Sequence, residues 1–407
     1  MTSPTPKPEA PPKLKDNTTT TSFQTRTLSV PPGPLGTWKD NTLQTWLPPP
    51  SPPSALVTAT THLLTSPIPV AFPTETVYGL GADATNASSV RGIYLAKGRP
   101  SDNPLIIHIS DLDMLSSLLA PAPIPEIYLP LIEKFWPGPL TILLPLPSPS
   151  PLAAEVTAGL GTFGVRMPDS ELARSLIKMA GRPLAAPSAN ASTRPSPTTA
   201  GHVLEDLRGR VEVIVDGGVC EVGVESTVVS GLGGERVVLR PGGVSLEELR
   251  AIPGWEGTVR GYGDGVLGAG EQPRAPGMKY KHYSPRARVV LFEHGGKVEA
   301  FGEGETVGLI RAGGWEAGCG MGVVFEREVE GDGEILVKEG RLGERRVLDV
   351  GLGGDVKGVA HGLFAALREL DRLGADVIYV EGVDDKGEDI AAAVMNRLRK
   401  AASEIRA

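Results

Sequence analysis

Short apolar runs alternate with amphipathic windows along the chain from about Ser54. Runs rich in Val, Ile and Leu predict strands at Pro69–Phe72, Leu105–Ile109, Leu140–Leu144, Phe163–Arg166, Val211–Val215, Ser226–Val229 and Arg236–Leu239. Windows with helical spacing lie between them, at Ala55–Leu64, Ser88–Ala96, Ile127–Phe135, Leu172–Met179 and Thr199–Leu207. Strands that alternate with helices favour an α/β domain, and the repeated Gly and Pro breaks favour a mixed sheet over a wholly parallel one.

A second, smaller α/β unit is predicted after residue 285. Its strands are expected at Arg288–Glu293, Thr306–Ile310 and Val377–Val380, and its helices at Val359–Leu373 and Ile390–Ala402. Residues 251–285 are rich in Gly and have no periodic apolar face, so they are predicted to form a linker. The pattern therefore divides the chain into a main domain over 54–250, the linker, and a Rossmann-like doubly wound α/β domain over 286–407.

The first 53 residues have a different composition. They hold thirteen of the 38 prolines and few large apolar residues, so they are predicted to be a disordered Pro/Thr-rich tail. The tail lacks the compact apolar core of a secretory signal. Arg26 is its only arginine, which makes a mitochondrial presequence a poor match. A cytoplasmic location is expected, and a minor mitochondrial pool is left open.

Composition narrows the class of protein. No run of about 18 apolar residues is present, so no membrane span is expected. Forty basic and 48 acidic residues give a net charge of -8, which argues against a chain whose whole surface binds nucleic acid. Cys220 and Cys319 lack C-x-x-C spacing, which excludes a disulfide framework and a cysteine-rich zinc site. These features favour a globular protein that binds small molecules.

Charged side chains follow one of the predicted helices. Lys97 and Arg99 are two residues apart and can direct both charges at one polyanion, such as a nucleoside triphosphate. The alternative is a solvated helix end, where cations are favoured in any case. Asn103 lies nearby and is held in an extended conformation by Pro104. The spacing alone does not decide between these alternatives.

Other polar side chains lie where predicted strands stop. Arg166 ends a strand, where a guanidinium can clamp a carboxylate with two hydrogen bonds or can simply face solvent. His108 also follows an apolar strand, and by itself it is more typical of a satisfied core histidine. Ser188 and Asn190 follow the apolar run 184–186. Ligands of open α/β sheets bind in this zone.

Taken together and in this order, these runs resemble the threonylcarbamoyl-AMP synthases, a YrdC-like family, in the long form with a C-terminal domain. The resemblance covers Ala55–Leu249, continues through Pro276–Pro285 and ends with Ala393–Ala401. It implies an α/β fold with a YrdC-like twisted mixed sheet flanked by helices, followed by the linker and the smaller domain.

The resemblance also implies a reaction. The family joins L-threonine, bicarbonate and ATP into L-threonylcarbamoyladenylate and releases pyrophosphate, so the chain is expected to be a nucleotidyltransferase. Mg2+ is the expected cofactor, with its ligands unassigned. The product is expected to pass to the tRNA threonylcarbamoyl transferase complex, for threonylcarbamoyladenosine modification next to the anticodon. A direct contact with tRNA is left open.

The family's site residues map onto this sequence by their motifs. Lys97 and Arg99 match a K-x-R pair that faces the phosphates of ATP and are the catalytic candidates. Positions that match the rest of the nucleotide site are Asn103, Thr162, Ser188, Asn190, Ser196, Arg240 and Tyr283. Positions that match the threonine site are Thr76, His108, Arg166 and Ser226. The linker, with Tyr280 and Tyr283, is expected to act as a lid over the site. One departure is Thr193 after Ser192, where the family often has Gly.

Two alternatives remain at this point. One is an RNA-binding module without catalysis, against which the net charge argues. The other is a carbamoyl-adenylate-forming maturation factor for hydrogenases. Those chains carry cysteine-rich zinc motifs, and two cysteines cannot supply them.

Overall fold

A computed structural model describes residues 23–263, 273, 282–301, 306–333, 335–387 and 390–407. The first domain contains the strands β1 (Arg26–Ser29), β2 (Thr37–Trp38), β3 (Trp46–Leu47), β4 (Val70–Pro73), β5 (Tyr78–Asp83), β6 (Ile106–His108), β7 (Leu140–Pro145), β8 (Thr162–Arg166), β9 (Leu184–Ala185), β10 (Val213–Asp216), β11 (Thr227–Ser230), β12 (Val237–Arg240) and β13 (Val259–Arg260). Its helices are α1 (Ser54–Thr65), α2 (Ala87–Lys97), α3 (Leu112–Leu119), α4 (Leu129–Phe135), α5 (Ala154–Thr157), α6 (Glu171–Ala180), α7 (Ala200–Leu207) and α8 (Leu246–Arg250).

The second domain follows from residue 288. Its strands are β14 (Arg288–Phe292), β15 (Val307–Arg311), β16 (Val324–Glu330), β17 (Leu336–Leu342), β18 (Arg345–Gly351), β19 (Val377–Glu381) and β20 (Glu404–Arg406). Its helices are α9 (Val356–Arg372) and α10 (Ala391–Ala401). In the described part of the chain, no helix is both long enough and apolar enough to cross a bilayer.

The main sheet of the first domain has eleven strands in the order β1-β10-β4-β5-β9-β6-β8-β7-β11-β12-β13. Its pairings are mixed: β6 and β8 are parallel, whereas β4 and β5, and β7 and β8, are antiparallel. In such a sheet, the first residues of some strands lie next to the last residues of others, along the same line of strand ends. The predicted mixed α/β architecture is confirmed.

Local sequence explains the helix that carries the first candidate residues. Asn86 caps α2, and its side chain accepts hydrogen bonds from the amides of Ser88 and Ser89. The helix ends at Lys97 because Gly98 adopts a left-handed conformation with a φ of 61°. Arg99 therefore starts a loop immediately after Lys97.

Strand β5 was not predicted, because Gly79 and Gly81 interrupt its apolar pattern. A tight turn at residues 74–77 joins it to β4. The Thr74 hydroxyl donates to the Val77 carbonyl oxygen at 2.7 Å, which closes the turn. The turn brings the polar run Thr74–Thr76 to the edge of the sheet.

The predicted disordered tail is partly wrong. Residues 1–22 lie outside the described residues, but residues 23–53 pack against the first domain. Strand β1 pairs in parallel with β10 at the edge of the main sheet. Trp46 is 1% exposed, and its indole Nε1 donates to Ser175 Oγ at 2.8 Å. A few large aromatic residues thus anchor a segment whose average composition suggested disorder.

Replacing Trp46 with phenylalanine is expected to lower the free energy of unfolding by about 1–2 kcal/mol, through the lost Nε1 hydrogen bond and imperfect filling of the site. Urea unfolding of the full chain measures this effect. Leu47→Ala, at a neighbouring side chain that is 42% exposed, is the control, with an expected change below about 0.5 kcal/mol. Equal changes in the two variants would show that the segment does not anchor through Trp46.

The second sheet has seven strands in the order β16-β17-β18-β15-β19-β14-β20. Five of them are parallel, and β16 and β17 add an antiparallel hairpin that the sequence did not reveal. The prediction of a smaller α/β domain is confirmed. Helices α9 and α10 both pack on one face of the sheet. Among the described residues, the other face is covered by loop side chains such as Phe301 and Trp315, where a doubly wound domain would carry further helices.

The first residues of the predicted linker belong to the first domain. Trp255 is fully buried in its core, and β13 extends its sheet. The linker prediction for residues 264–272 and 274–281 lies outside the described residues. The two domains also touch directly. Gly223 has a φ of +79° and lies so close to α9 that a Cβ there would be 2.5 Å from the Cα of His361.

Candidate active site

A partly open cavity lies where several strands of the main sheet begin or end. It brings together most of the side chains predicted for the site: Thr76, Lys97, Arg99, His108, Arg166, Ser188, Asn190, Ser196, Ser226, Arg240 and Tyr283. These residues come from eight separate places along the chain, and the fold alone makes them neighbours. The cavity is therefore the candidate active site.

A buried guanidinium dominates one side of the cavity. Arg166, at the end of β8, forms an ion pair with Glu75, with 2.5 Å between Nη2 and Oε1. Its Nη1 donates to the Thr76 hydroxyl at 2.8 Å, and its Nε donates to the Gly138 carbonyl oxygen at 3.1 Å. Side-chain and backbone acceptors thus hold the guanidinium in one orientation, which favours recognition of a planar anion.

His108 lies beside this guanidinium, because β6 and β8 pair His108 with Arg166 in register. Burial, followed by the charge of Arg166, lowers the pKa of His108 to about 3. The imidazole is therefore neutral at pH 7. Its Nδ1 is buried and has no hydrogen-bond partner among the described residues.

The cationic side of the cavity contains Lys97 and Arg99. The Lys97 ammonium donates to the backbone carbonyl oxygens of Ser188 and, at 2.6 Å, of Asn190. Burial, together with the charge of Arg99, holds the pKa of Lys97 well below its usual range. Burial also lowers the pKa of Arg99 to about 10. An anion in the cavity would reverse these shifts, because it favours the charged form of both groups.

Arg240, at the end of β12, adds a third cation. Its Nη2 donates to the carbonyl oxygen of Ser226 at 2.8 Å and to the Ser226 hydroxyl at 3.1 Å. That hydroxyl is also 2.8 Å from the hydroxyl of Thr141 on β7. Ser226 is therefore held by hydrogen bonds to residues of two neighbouring strands, β7 and β12.

Two charged residues at this site were not predicted. Glu225 lines the cavity, and its Oε1 accepts a hydrogen bond from Ser196 at 2.6 Å. Its Oε2 accepts from the Nε and Nη2 of Arg397 on α10, each at 3.1 Å. Burial acts to raise the pKa of Glu225, but the charges of Arg397 and Arg240 outweigh it and lower the pKa to about 2. Glu225 lies just before a predicted strand, and Arg397 lies in the run Ala393–Ala401 that carries part of the resemblance, so each position gave a usable signal.

Tyr283 closes one wall of the cavity. Its ring stacks on Phe364 of α9, with 5.2 Å between ring centroids. Its φ of 66° is in the left-handed region, so packing holds the backbone in a conformation that tyrosine seldom adopts. His282 also lines the cavity. Tyr280, the other tyrosine of the lid prediction, lies outside the described residues.

Two predicted residues do not line this cavity. The side chain of Asn103 is buried next to Arg99, and its amide atoms have no hydrogen-bond partner among the described residues. Thr162 is at the opposite end of β8 from Arg166 and lines a smaller cavity. That cavity adjoins the first, because Ile106 lines both.

Acid is expected to destabilise the protein through its buried histidines. Burial lowers the pKa of His108, His202 and His282 to about 3 each. The unfolded chain binds protons near pH 6.5, so this stability is complete above that pH and is lost as the pH falls towards 3. We expect a loss of about 1–2 kcal/mol per histidine between pH 7 and pH 5, measured by urea unfolding.

The control for this loss is a pair of histidine variants. His202→Asn should reduce the difference between the two pH values, whereas replacement of the exposed His294 should not. An unfolding free energy that is the same at pH 7 and pH 5 would contradict the assignment of neutral buried histidines.

Two family models match the chain. The Sua5/YciO/YrdC model, described as "Telomere recombination", matches residues 63–242. The model described as "Threonylcarbamoyl-AMP synthase, C-terminal domain" matches residues 244–403. The threonylcarbamoyl-AMP synthase of Schizosaccharomyces pombe is 46% identical over 395 residues, covering 88% of this chain and 91% of that protein. The Bacillus subtilis enzyme of the same name is 45% identical over 333 residues, covering 82% of this chain and 89% of that protein.

A solved structure agrees with these matches. The crystal structure of Pyrococcus abyssi Sua5 complexed with L-threonine superposes with a TM-score of 0.71 at 40% identity, covering 86% of this chain and 95% of that one. The similarity extends across both domains, and neither an RNA-binding module nor a hydrogenase maturation factor gains support from it. The chain therefore belongs to the threonylcarbamoyl-AMP synthase family, in the long form that carries the C-terminal domain.

Proposed function

We propose that this chain is a nucleotidyltransferase that makes L-threonylcarbamoyladenylate from L-threonine, bicarbonate and ATP, with release of pyrophosphate. The observation that carries the proposal is one cavity whose lining includes four cationic side chains, which we assign to two halves. Lys97, Arg99 and Arg240 supply cations for a triphosphate, and Arg166 supplies a separate, fixed guanidinium for a carboxylate. The names of the relatives, and the L-threonine bound by the Pyrococcus abyssi protein, support the same reaction.

The Arg166 half is assigned to threonine. Arg166 would bind the substrate carboxylate, which must share the guanidinium with Glu75. Thr76, which accepts a hydrogen bond from Arg166, and Ser226 also line the cavity and offer hydroxyl groups. Neutral His108 can accept a hydrogen bond from the substrate without adding a repelling charge to its amine.

The other half is assigned to ATP. Lys97 and Arg99 would contact the phosphates and are the catalytic residues in the sense that they touch reacting groups. The remaining nucleotide positions are assigned to Asn103, Thr162, Ser188, Asn190, Ser196, Arg240 and Tyr283.

The reaction needs alignment more than it needs a protein nucleophile. The threonine amine takes up CO2 from bicarbonate to form a carbamate, and water is released. A carbamate oxygen then forms a bond to the α-phosphorus of ATP, and the bond from that phosphorus to the bridging oxygen breaks, so that pyrophosphate leaves. Fixed cations offset the charge that develops on the departing phosphates.

Mg2+ is proposed as the metal of the reaction. Among the described residues, no group of three or more His, Cys, Asp or Glu side chains could hold an ion. Glu75 and Glu225 are each already paired with an arginine. The site therefore fits an Mg2+ that is carried by the triphosphate and its waters, as is common for this ion. When bound, the ion would neutralise phosphate charge.

Both the carbamate and the mixed anhydride are sensitive to water, so the product must be shielded and then passed on. We propose that the part of the predicted linker that follows β13, with Tyr280 and Tyr283, acts as a lid. We further propose transfer of the product to the tRNA threonylcarbamoyl transferase complex in the cytoplasm. A direct contact with tRNA and a minor mitochondrial pool are not needed for this proposal.

The test is pyrophosphate release by the purified full chain with ATP, L-threonine, bicarbonate and Mg2+, each left out in turn. Release should require ATP, threonine and bicarbonate, and mass spectrometry should detect the adenylate. Release that is equally fast without threonine would overturn the proposed reaction. Tight, salt-sensitive binding of RNA without any ATP turnover would instead favour the RNA-binding alternative.

A further inference from the structure

Arg397 connects the C-terminal domain to the cavity, although it is far from the cavity residues in sequence. It lies on α10 and is fully buried. Its Nε and Nη2 both donate to Glu225 Oε2 at 3.1 Å, and its Nη1 donates to the Pro241 carbonyl oxygen at 2.6 Å. The guanidinium of one domain is thus fixed on the backbone and a side chain of the other.

Arg397 acts on the cavity through Glu225, the carboxylate to which it is hydrogen-bonded. Its carboxylate lines the cavity beside the candidate phosphate site, and its Oε1 accepts from the Ser196 hydroxyl at 2.6 Å. A buried carboxylate in this place would repel a triphosphate unless a cation neutralised it. Arg397 supplies that cation without occupying the cavity.

Arg397 also supports the tyrosine wall. Its Cζ lies 5.7 Å from the centroid of the Tyr283 ring, over the ring face. The opposite support for this ring is Phe364, which belongs to the same C-terminal domain. One domain therefore sets the position of both the tyrosine and the carboxylate, while the other domain supplies the substrate-facing cations.

We propose that Arg397 is a positioning residue for the nucleotide: it neutralises and orients Glu225, and through it Ser196, so that the C-terminal domain determines how tightly the catalytic domain binds ATP. The inference rests on the proposed function, because it takes the cationic half of the cavity to be the ATP site. It adds a required role for a residue that does not itself touch the substrate.

Arg397→Met removes the cation that is hydrogen-bonded to Glu225 and leaves only the more distant charge of Arg240 to offset this carboxylate beside the triphosphate. The KM for ATP and its dissociation constant, measured by calorimetry on the full chain, should rise about tenfold or more, as one uncompensated charge near the phosphates predicts. The KM for threonine should change much less. Arg397→Lys keeps the charge and should restore part of the ATP affinity.

The deciding variant combines Arg397→Met with Glu225→Gln. Removing the uncompensated carboxylate should recover a large part of the lost ATP affinity, which a residue with a merely structural role would not do. Arg399→Met is the matched control, because Arg399 lies on the same helix and pairs with Glu293 and Asp385 instead. It should bind ATP like the wild type.

The outcomes separate this inference from the proposed function. If the wild type releases pyrophosphate in a threonine-dependent manner and Arg397→Met binds ATP normally, only the role of Arg397 is overturned. An ATP loss in Arg397→Met that Glu225→Gln fails to relieve also overturns it. If Arg397→Met does not fold, Arg397→Gln, which is also neutral but can still donate to Glu225, is compared with Arg397→Gln plus Glu225→Gln by the same criterion. A wild type without threonine-dependent release refutes the proposed function itself.

Discussion

Arg99→Ala is expected to lower kcat/KM for adenylate formation by about 100- to 1000-fold, which corresponds to about 3–4 kcal/mol of transition-state stabilisation. The guanidinium is preorganised, since Nη2 donates to the Pro104 carbonyl oxygen at 3.1 Å and the side chain lines the cavity. Its buried Nε has no hydrogen-bond partner among the described residues. An incoming phosphate would supply that partner.

Lys97→Met should cause a loss of similar size, because its ammonium is held by two backbone carbonyl oxygens with no carboxylate close enough to form a salt bridge among the described residues. Steady-state pyrophosphate release measures both variants. Arg91→Met on the same helix is the control, since Arg91 is exposed and pairs with Glu155 on the surface. Wild-type turnover in Arg99→Ala or Lys97→Met would exclude a role for that residue at the phosphates.

Arg166→Ala should have two separable effects. It leaves the Glu75 carboxylate buried without its cation, which is expected to lower the free energy of unfolding by about 3–5 kcal/mol. It also removes the proposed carboxylate contact, so the KM for threonine should rise far more than the KM for ATP. Thermal or urea unfolding and initial-rate kinetics measure the two effects independently.

Two further variants distinguish stability from recognition. Arg166→Lys keeps a positive charge but not the forked geometry, so it should retain most of the fold and still bind threonine poorly. Arg166→Met combined with Glu75→Gln removes both charges and should regain stability without regaining threonine affinity. Equal increases in the two KM values would count against a carboxylate clamp at Arg166.

Much of the first domain could be predicted because its strands are short, apolar and bounded by Gly and Pro. The position of polar residues at strand ends indicated part of the site, and the resemblance to the family's motifs supplied its other positions. The failures have local causes. Strand β5 was missed because Gly79 and Gly81 interrupt its run of apolar residues. The Pro-rich composition of residues 23–53 did not indicate that this segment packs on the first domain. Its packing depends on a few large side chains, such as the buried indole of Trp46.

The contribution of the C-terminal domain to the site could not be predicted in this way. Arg397 and Glu225 are 172 residues apart, and neither lies in a local pattern that specifies the other. Arg368 shows the same limit, because its guanidinium donates to the Pro195 carbonyl oxygen of the other domain at 3.1 Å. Such contacts depend on how the two folded domains pack against each other. The spacing of apolar residues within one helix or strand carries no information about that packing.

The pairing of β1 with β10 has a consequence for the solution behaviour of shortened chains. Without the first 53 residues, β10 would become the outer strand of the sheet, with unpaired amides and carbonyls along Val213–Val215. Open edges of this kind recruit strands from other molecules. A chain that starts at Ser54 should therefore self-associate and precipitate more readily than the full chain, whatever happens to its catalytic rate.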